Sequence, residues 1–425
     1  MFAYINKVMS LIRRKGIFRA IYILFFVIVK KVYFYFVPKM ARYFAKSVDD
    51  NLVLFDSPSY SDNAKVLSDY ILNNTNYKVV WIVNNKIKIE NRKNLITVSQ
   101  TYLQKSRFKH IYTIGAFYYA YKAKYVFYTH SFNWAGYKNP NQIIINLWHG
   151  SGYKARKEPK SGIRLPDLFD FMIVPGELFV KSKAEFFECE PTKIIPLGYP
   201  RYDTFKIDSS IKVNNFFVNL DLLENDSQKI IIWLPTFVGD DDLLSYQNPL
   251  PYIISGIPIL EKLQHLQDLD KFCFENNIKI LIKRHRLEAK RVPLEKHFKD
   301  LKSIVVLTND NFEENEIDLY ELLPHTDALI SDFSSVSVDY LLLDKPIAYV
   351  VTDIEDYRKT RGFVFDDPLL YMPGEHIYNF DDLKKFILHI ATNNDNYFDV
   401  RKNAIEIMHN KTDNYSERII SYFFK

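Results

Sequence analysis

A chain of 425 residues is long for one core and comfortable for two domains of roughly 150–200 residues each. Its 48% apolar and 16% aromatic content exclude general disorder, and two cysteines, Cys189 and Cys273, give neither a disulfide framework nor a metal-ligand spacing, so both read as reduced core residues of a reducing compartment. The net charge of +5 hides an asymmetry: residues 1–48 hold ten Lys or Arg and no Asp or Glu, so the remainder, +5 less ten, carries −5.

Residues 1–48 form a first segment, basic and amphipathic. Its apolar run 20–29 (AIYILFFVIV) is bracketed by Arg19 and by Lys30 and Lys31, whereas a bilayer span needs roughly 20 residues. The continuation 32–37 (VYFYFV) would make a span possible but would bury two lysines. A charged start and short apolar core also suit a signal peptide, yet no small-residue cleavage site follows. In-plane attachment to an anionic membrane surface fits best. A helix docked on the protein body, and insertion or export, are the alternatives.

From residue 49 the pattern alternates strand-like and helix-like runs. Strands are predicted at 52–55, 78–83, 94–98, 124–128, 142–147, 171–174 and 193–197, with a helix at 63–73. Short Val-, Ile- and Tyr-rich runs separated by helix-length stretches are what a parallel α/β sheet requires. Residues 207–228 read as a polar, irregular crossover. A second series follows at 229–234, 278–283, 303–308, 327–330 and 346–351. The implied architecture is two doubly wound Rossmann-type domains facing a cleft, 49–210 and 211–425. There is no repeat, no low-complexity tract and no GxGxxG or GxxxxGK[ST], so a dinucleotide or P-loop site lacks its usual signature.

Two turns carry the chemistry. The first, LWHGSG at 147–152, leaves an apolar run and delivers His149, Gly150 and Ser151; the second, SDFSS at 331–335, delivers Ser334 and Ser335 at the start of a helix running toward Leu343 that Asp332 can cap. Small and hydroxyl residues between a strand end and a helix let backbone N–H groups converge on a phosphate. His149 can accept a hydroxyl proton near neutral pH, or can be a structural histidine bonded to a turn carbonyl. Lys283, Arg284, His285 and Arg286 cluster at a strand's end and suit a pyrophosphate or, equally, a solvated basic edge. Ser334 and Ser335 suit a phosphate or ordinary capping. Asp339 shares a helix face with Ser335. Lys154 and Arg156 can steer an anionic polymer. The acidic run 240–242 is a solvated loop or a weak divalent-cation site, with Mg the candidate ion.

These stretches, in order, resemble the CDP-glycerol glycerophosphotransferase family of teichoic acid and capsule synthesis. The landmarks are SDN at 61–63, WHGSGYK at 148–154, GYPRYD at 198–203, LPTF at 234–237, KRH at 283–285, SDFSSVSVDY at 331–340, YRKTRGFVFD at 357–366 and DNYSER at 413–418. The resemblance implies a GT-B-like fold with an acceptor-side N-terminal domain and a CDP-donor-binding C-terminal domain. It implies that His149 is the base and that His285 is catalytic with it. Ser334, Ser335, Gly150, Ser151, Lys283, Arg284 and Arg286 would bind donor phosphates, and Asp339, Arg361 and Thr236 would contact the alditol or nucleotide. Two departures stand out. Arg286 replaces the proline of the family's KLHP, and Val238 stands where an arginine follows the PTW turn.

The expected reaction is transfer of glycerol phosphate or ribitol phosphate from its CDP ester to the hydroxyl end of an anionic polymer precursor, lipid-linked teichoic acid or capsule, with release of CMP. No resident cofactor or metal is required by the motifs. The expected place is the cytoplasmic face of the membrane, peripherally held. A GT-B glycosyltransferase using a nucleotide sugar and a non-catalytic membrane-bound glycan-binding module are the rival readings. The N-terminal segment is too apolar to prefer nucleic acid to a membrane.

Overall fold

The computed structural model describes residues 17–84, 89, 92–101, 111–130, 138–155, 169–222, 225, 227–235, 259–260, 262–283, 300–410 and 413–424. Arg156, Thr236, Val238, Arg284, His285, Arg286 and the run 240–242 lie outside the described residues. The chain divides into two compact units, Met1–Tyr60 with Ile71–Ile145, and Ser61–Tyr70 with Asn146–Lys425.

The first unit opens with the helix Ile17–Phe44, which absorbs the apolar run and contains Pro38. Its far end packs on the helix Ile114–Lys122, with Ala41 and Ala45 buried. Phe25, Ile28, Val32, Phe36, Met40 and Tyr43 are exposed and recur every three or four residues, which places them along one side. Among the described residues no helix is long and apolar enough to cross a membrane.

The unit's strands are β1 (Asp49–Asp56), β2 (Lys78–Asn84), β3 (Leu95–Thr101), β4 (Ile111–Tyr112), β5 (Ala123–Tyr128) and β6 (Ile143–Asn146), ordered β4-β3-β2-β1-β5-β6. β1 pairs in parallel with β2 and β5, and β2 with β3, while β4 is antiparallel. Phe55 of β1 stacks between Trp81 and Phe127 at centroid distances of 5.3 and 5.2 Å. Parallel strands covered on both faces are apolar throughout, and for that reason they were legible as continuous runs.

The second unit holds a short parallel pair, β7 (Phe171–Ile173) and β8 (Ile194–Ile195), and a six-stranded sheet. The sheet comprises β9 (Lys229–Leu234), β10 (Ile278–Lys283), β11 (Ile304–Leu307), β12 (Ala328–Ser331), β13 (Ile347–Val350) and β14 (Glu375–Ile377), in the order β11-β10-β9-β12-β13-β14. Every pairing in it is parallel. Trp233, Ile280, Ile282, Ile330 and Val350 pack with Leu383 and Phe386 of the helix Phe380–Ala391. Both sheets are flanked by helices, such as Asp62–Asn74 between β1 and β2 and Leu263–Glu275 between β9 and β10, as in GT-B-like doubly wound domains. The chain moves outward from β9 to β11, then returns and moves the other way from β12 to β14. The order therefore reverses between β9 and β12, the position at which open α/β sheets place ligands beyond their carboxyl ends.

Three expectations need correction. The crossover 207–228 is not irregular, because it contains the helix Ser210–Asn219, whose Val213, Phe216 and Phe217 are buried at helical spacing among Lys and Asn residues that disguise it. Cys273 is a core residue but Cys189 is only half-buried. Asp332 is not at the N-cap position, which is Ser335: the helix after β12 is Val336–Tyr340, continued by a tighter turn to Leu343, and its first N–H, that of Val336, donates to Ser334 Oγ at 3.5 Å.

Candidate active site

The turn after β6 is fixed from several sides. Asn146 Oδ1 accepts the Trp148 N–H at 2.8 Å, and Asn63 Nδ2 donates to the carbonyls of Leu147 and Trp148 at 3.3 and 3.0 Å. Trp148 has φ of 52°, a left-handed conformation that a bulky residue adopts only where its surroundings enforce it. Its ring lies 4.0 Å from that of His149, centroid to centroid, and meets Phe187 edge-on. The His149 ring is exposed. Behind Trp148 sits Lys183, only 8% exposed, with its Nζ 5.5 Å from the indole and 5.2 Å from the Phe186 ring. Burial pulls the Lys183 ammonium down to about 8.

The second turn leaves β12 at the point where the strand order reverses. Ser331 Oγ donates to the Leu234 carbonyl at 3.0 Å and ties the ends of β12 and β9 together. Ser334 and Ser335 follow, both half-buried. The two turns meet here. A β-carbon on Gly150 would stand 2.2 Å from Ser335 Oγ, and one on Gly152 would stand 3.0 Å from the Ser335 Cα. Only glycine lets the backbone come this close.

A third segment joins them. The Ala155 N–H donates to the Gly362 carbonyl and the Val364 N–H to the Tyr153 carbonyl, so Lys154 bridges Phe363 in antiparallel fashion. Lys154 is thereby held on the bridge, and Arg361 stands two residues before Phe363 at the C-terminal end of the helix Ile354–Thr360, each half-buried. Lys283 ends β10 with its Nζ 3.3 Å from Asn309 Oδ1 and over the Phe312 ring. Burial lowers its pKa from the ordinary lysine range.

Two of the residues assigned to ligands are closed instead. Ser151 is fully buried with its hydroxyl 2.8 Å from the Tyr199 hydroxyl, so it secures the turn and offers no free oxygen to a phosphate. Asp339 is also fully buried, and its carboxylate takes Arg201 Nη2 at 2.6 Å, the Tyr320 hydroxyl at 2.5 Å and the Tyr202 hydroxyl. An alditol hydroxyl would have to displace a protein donor to reach it.

Arg201 is the residue that sequence reasoning passed over. It lies in the GYPRYD landmark, 2% exposed, where its Nη1 donates to Asp62 Oδ1 at 2.9 Å and to the His149 carbonyl at 3.1 Å. Burial opposes its charge, but the Asp339 and Asp62 carboxylates more than offset this and hold the guanidinium protonated well above its usual range. The available signal was an arginine between two tyrosines immediately after a Gly-Tyr-Pro turn.

Among the described residues no group of three or more His, Cys, Asp or Glu side chains is arranged to hold a metal ion. A cavity of about 370 Å³ on the β14 edge, lined by Glu375, His376, Lys385 and His389 among others, includes no residue of the two turns. Chemically, the meeting point offers an exposed imidazole, two hydroxyls and close-packed glycine backbone at a sheet's switch point.

Comparison with known proteins agrees with this geometry. The family model described as CDP-Glycerol:Poly(glycerophosphate) glycerophosphotransferase matches residues 39–425. The teichoic acid ribitol-phosphate polymerase TarL of Staphylococcus aureus is 28% identical over 253 residues, covering 57% of this chain and 41% of that protein. The teichoic acid glycerol-phosphate transferase of the same organism is 23% identical over 347 residues, covering 76% and 79%. The chain thus spans less than half the length of the polymerase. Among solved structures, that of the wall teichoic acid polymerase TagF superposes with a TM-score of 0.65 at 21% identity, covering 89% of this chain and 88% of that one.

Proposed function

The chain belongs to the CDP-glycerol:poly(glycerophosphate) glycerophosphotransferase family, and from that premise we propose that it transfers an alditol phosphate, glycerol phosphate or ribitol phosphate, from its CDP ester to the terminal hydroxyl of an anionic cell-envelope polymer precursor. The observation that carries this reading is the meeting of Gly150 and Gly152 with Ser335, which sets an exposed imidazole beside a hydroxyl turn at a switch point.

In this reaction the acceptor oxygen bonds to the β-phosphorus of the donor as the bond to the CMP oxygen breaks. His149 takes the acceptor's proton, and CMP leaves with the electron pair. Ser334 and Ser335 donate to the transferring phosphoryl group. Lys283, with Arg284, His285 and Arg286 just beyond the described residues, offsets its charge, Lys154 steers the anionic chain, and Arg361 contacts the alditol or nucleotide. Phosphoryl transfer needs chiefly positioning and electrostatic stabilisation, so cations, hydroxyls and one base suffice. Residues 49–210 would serve the acceptor and 211–425 the CDP donor.

The enzyme would work at the cytoplasmic face of the membrane, attached through the helix Ile17–Phe44. Its exposed apolar side, with Lys39 and Arg42 in the same helix and no acidic residue in its sequence, suits an anionic bilayer surface.

The test is acceptor-dependent CMP release from CDP-glycerol and from CDP-ribitol, with His149→Ala alongside. CMP from one donor, lost in the folded variant, is expected and names the alditol. Near-normal turnover in His149→Ala would remove the base. Silence with both donors, in the presence of lipid, would move the reading to a nucleotide-sugar donor.

A further inference from the structure

The residue with most of its bonds spent on the site is not one of the ligand candidates. Arg201 is buried, and its guanidinium fork serves two masters: Nη2 holds Asp339 Oδ2 at 2.6 Å, and Nη1 holds the main-chain carbonyl of His149 at 3.1 Å with Asp62 Oδ1 at 2.9 Å. The Tyr320 ring lies 4.7 Å and the Tyr199 ring 4.9 Å from its Cζ. Its backbone N–H donates at 3.3 Å to Asn63 Oδ1, and Asn63 in turn holds the carbonyls of Leu147 and Trp148. Residue 201 thus reaches three successive carbonyls of the histidine turn, one directly and two through Asn63. Asp339 stands four residues after Ser335 in the helix that opens at the second turn.

We propose that Arg201 is a positioning residue, which locks the main chain of His149 to the Ser335 turn through Asp339 and so sets the imidazole's place relative to the transferring phosphoryl group. The proposal rests on the function proposed above. A planar guanidinium presents N–H groups in fixed directions and can hold a carboxylate and a carbonyl at once; an ammonium at the end of a flexible stem cannot reproduce that fork. The two tyrosine hydroxyls complete the carboxylate's shell, as a buried charge demands. Arg201 has no opening to substrate, so its loss alters where His149 stands and leaves donor contacts in place.

The experiment compares wild type, Arg201→Lys and Arg201→Ala, the last with and without added guanidinium. It follows CMP release and, independently, the imidazole proton resonance of His149, assigned by its disappearance in His149→Gln. Misplacing a reacting group by about 1 Å costs about 100-fold. In Arg201→Ala, kcat is therefore expected to fall by about that factor, with the donor KM within about threefold and a shifted His149 resonance. Guanidinium, entering the space beside Asp339, should restore at least about a tenth of the lost rate and return the resonance, while Arg201→Lys should remain defective. Wild-type kcat with an unmoved resonance, or a loss confined to donor KM, overturns the proposal. If Arg201→Ala does not fold, Tyr320→Phe removes one bond to Asp339 and no charge. A roughly fivefold fall in kcat with a moved resonance then supports the lock, and no change in either refutes it. Should wild type itself release no CMP, the proposed function fails, and the resonance alone decides whether Arg201 positions His149.

Discussion

Ser335 occupies the space that a side chain on residue 150 would need: a β-carbon there would stand 2.2 Å from its Oγ and 2.9 Å from its Cβ. The Ser335 hydroxyl could rotate away, but its β-carbon could not without moving the turn. Gly150→Ala should therefore lower stability by about 1–3 kcal/mol and depress transfer more than stability. Denaturant titration and CMP release check this. Adding Ser335→Gly should recover part of the stability but not the transfer, because the contact is relieved while the hydroxyl is gone.

Lys183 is buried behind Trp148 among aromatic rings, with no carboxylate among the described residues paired to it. Burial pulls its pKa from 10.5 to about 8, so the unfolded chain binds this proton more tightly than the folded one. The resulting penalty is absent above pH 10.5, grows as the pH falls toward 8 and is constant below. Lys183→Met should therefore gain about 1–3 kcal/mol at pH 7, after allowing for the lost cation–π contact. That advantage should shrink as unfolding is measured at pH 9 and 10.

His409 is 3% exposed and bonds through Nε2 to the Val338 carbonyl at 2.9 Å, one residue before Asp339. Burial lowers its pKa to about 4, so the unfolded state takes up the proton first as the pH falls. Its contribution to stability is intact above about pH 6.5 and is lost between there and about pH 4, amounting to roughly 3 kcal/mol. His409→Gln can keep the bond to Val338 without titrating. The difference between wild-type and variant unfolding free energies should slope across this window and be flat above it.

Phe36 and Ile28 are 55% and 56% exposed on the helix Ile17–Phe44. Replacing both with Ser should weaken co-sedimentation with anionic vesicles at least about fivefold, since each loses about 1.5–3 kcal/mol of apolar burial if fully inserted. Thermal unfolding should not move. Equal binding by the double variant would send the helix's exposed side to a protein partner instead.

The strands of the second sheet were legible because they are uninterrupted apolar runs: 229–234 and 278–283 match β9 and β10 residue for residue. β4 and β14 were not, being two and three residues long, with Glu375 and His376 in the latter. The glycine-histidine and serine turns were legible as small or hydroxyl residues after strands. Their contact with each other was not, and neither was the role of Arg201 or Asp339. An arginine in a polar loop and an aspartate one helical turn past two serines look solvent-facing until the fold supplies their partners. Asp339 in particular reads as a ligand from the family resemblance, whereas in the fold the Tyr202 and Tyr320 hydroxyls close on it.

The two carboxylates that hold Arg201 lie 139 and 138 residues from it along the chain, one on either side. Closing such distant contacts is slow compared with forming local helices and turns. During synthesis at about 5–20 residues per second, Asp339 follows His149 by roughly 10–40 s. For that interval the nascent chain carries its imidazole on a turn that Asn63 and Asn146 can hold but that is not yet anchored to the Ser335 turn. A ribosome pausing within this stretch would prolong that unanchored state, and the histidine would acquire its working position only when the second sheet's fourth strand and the helix after it have emerged.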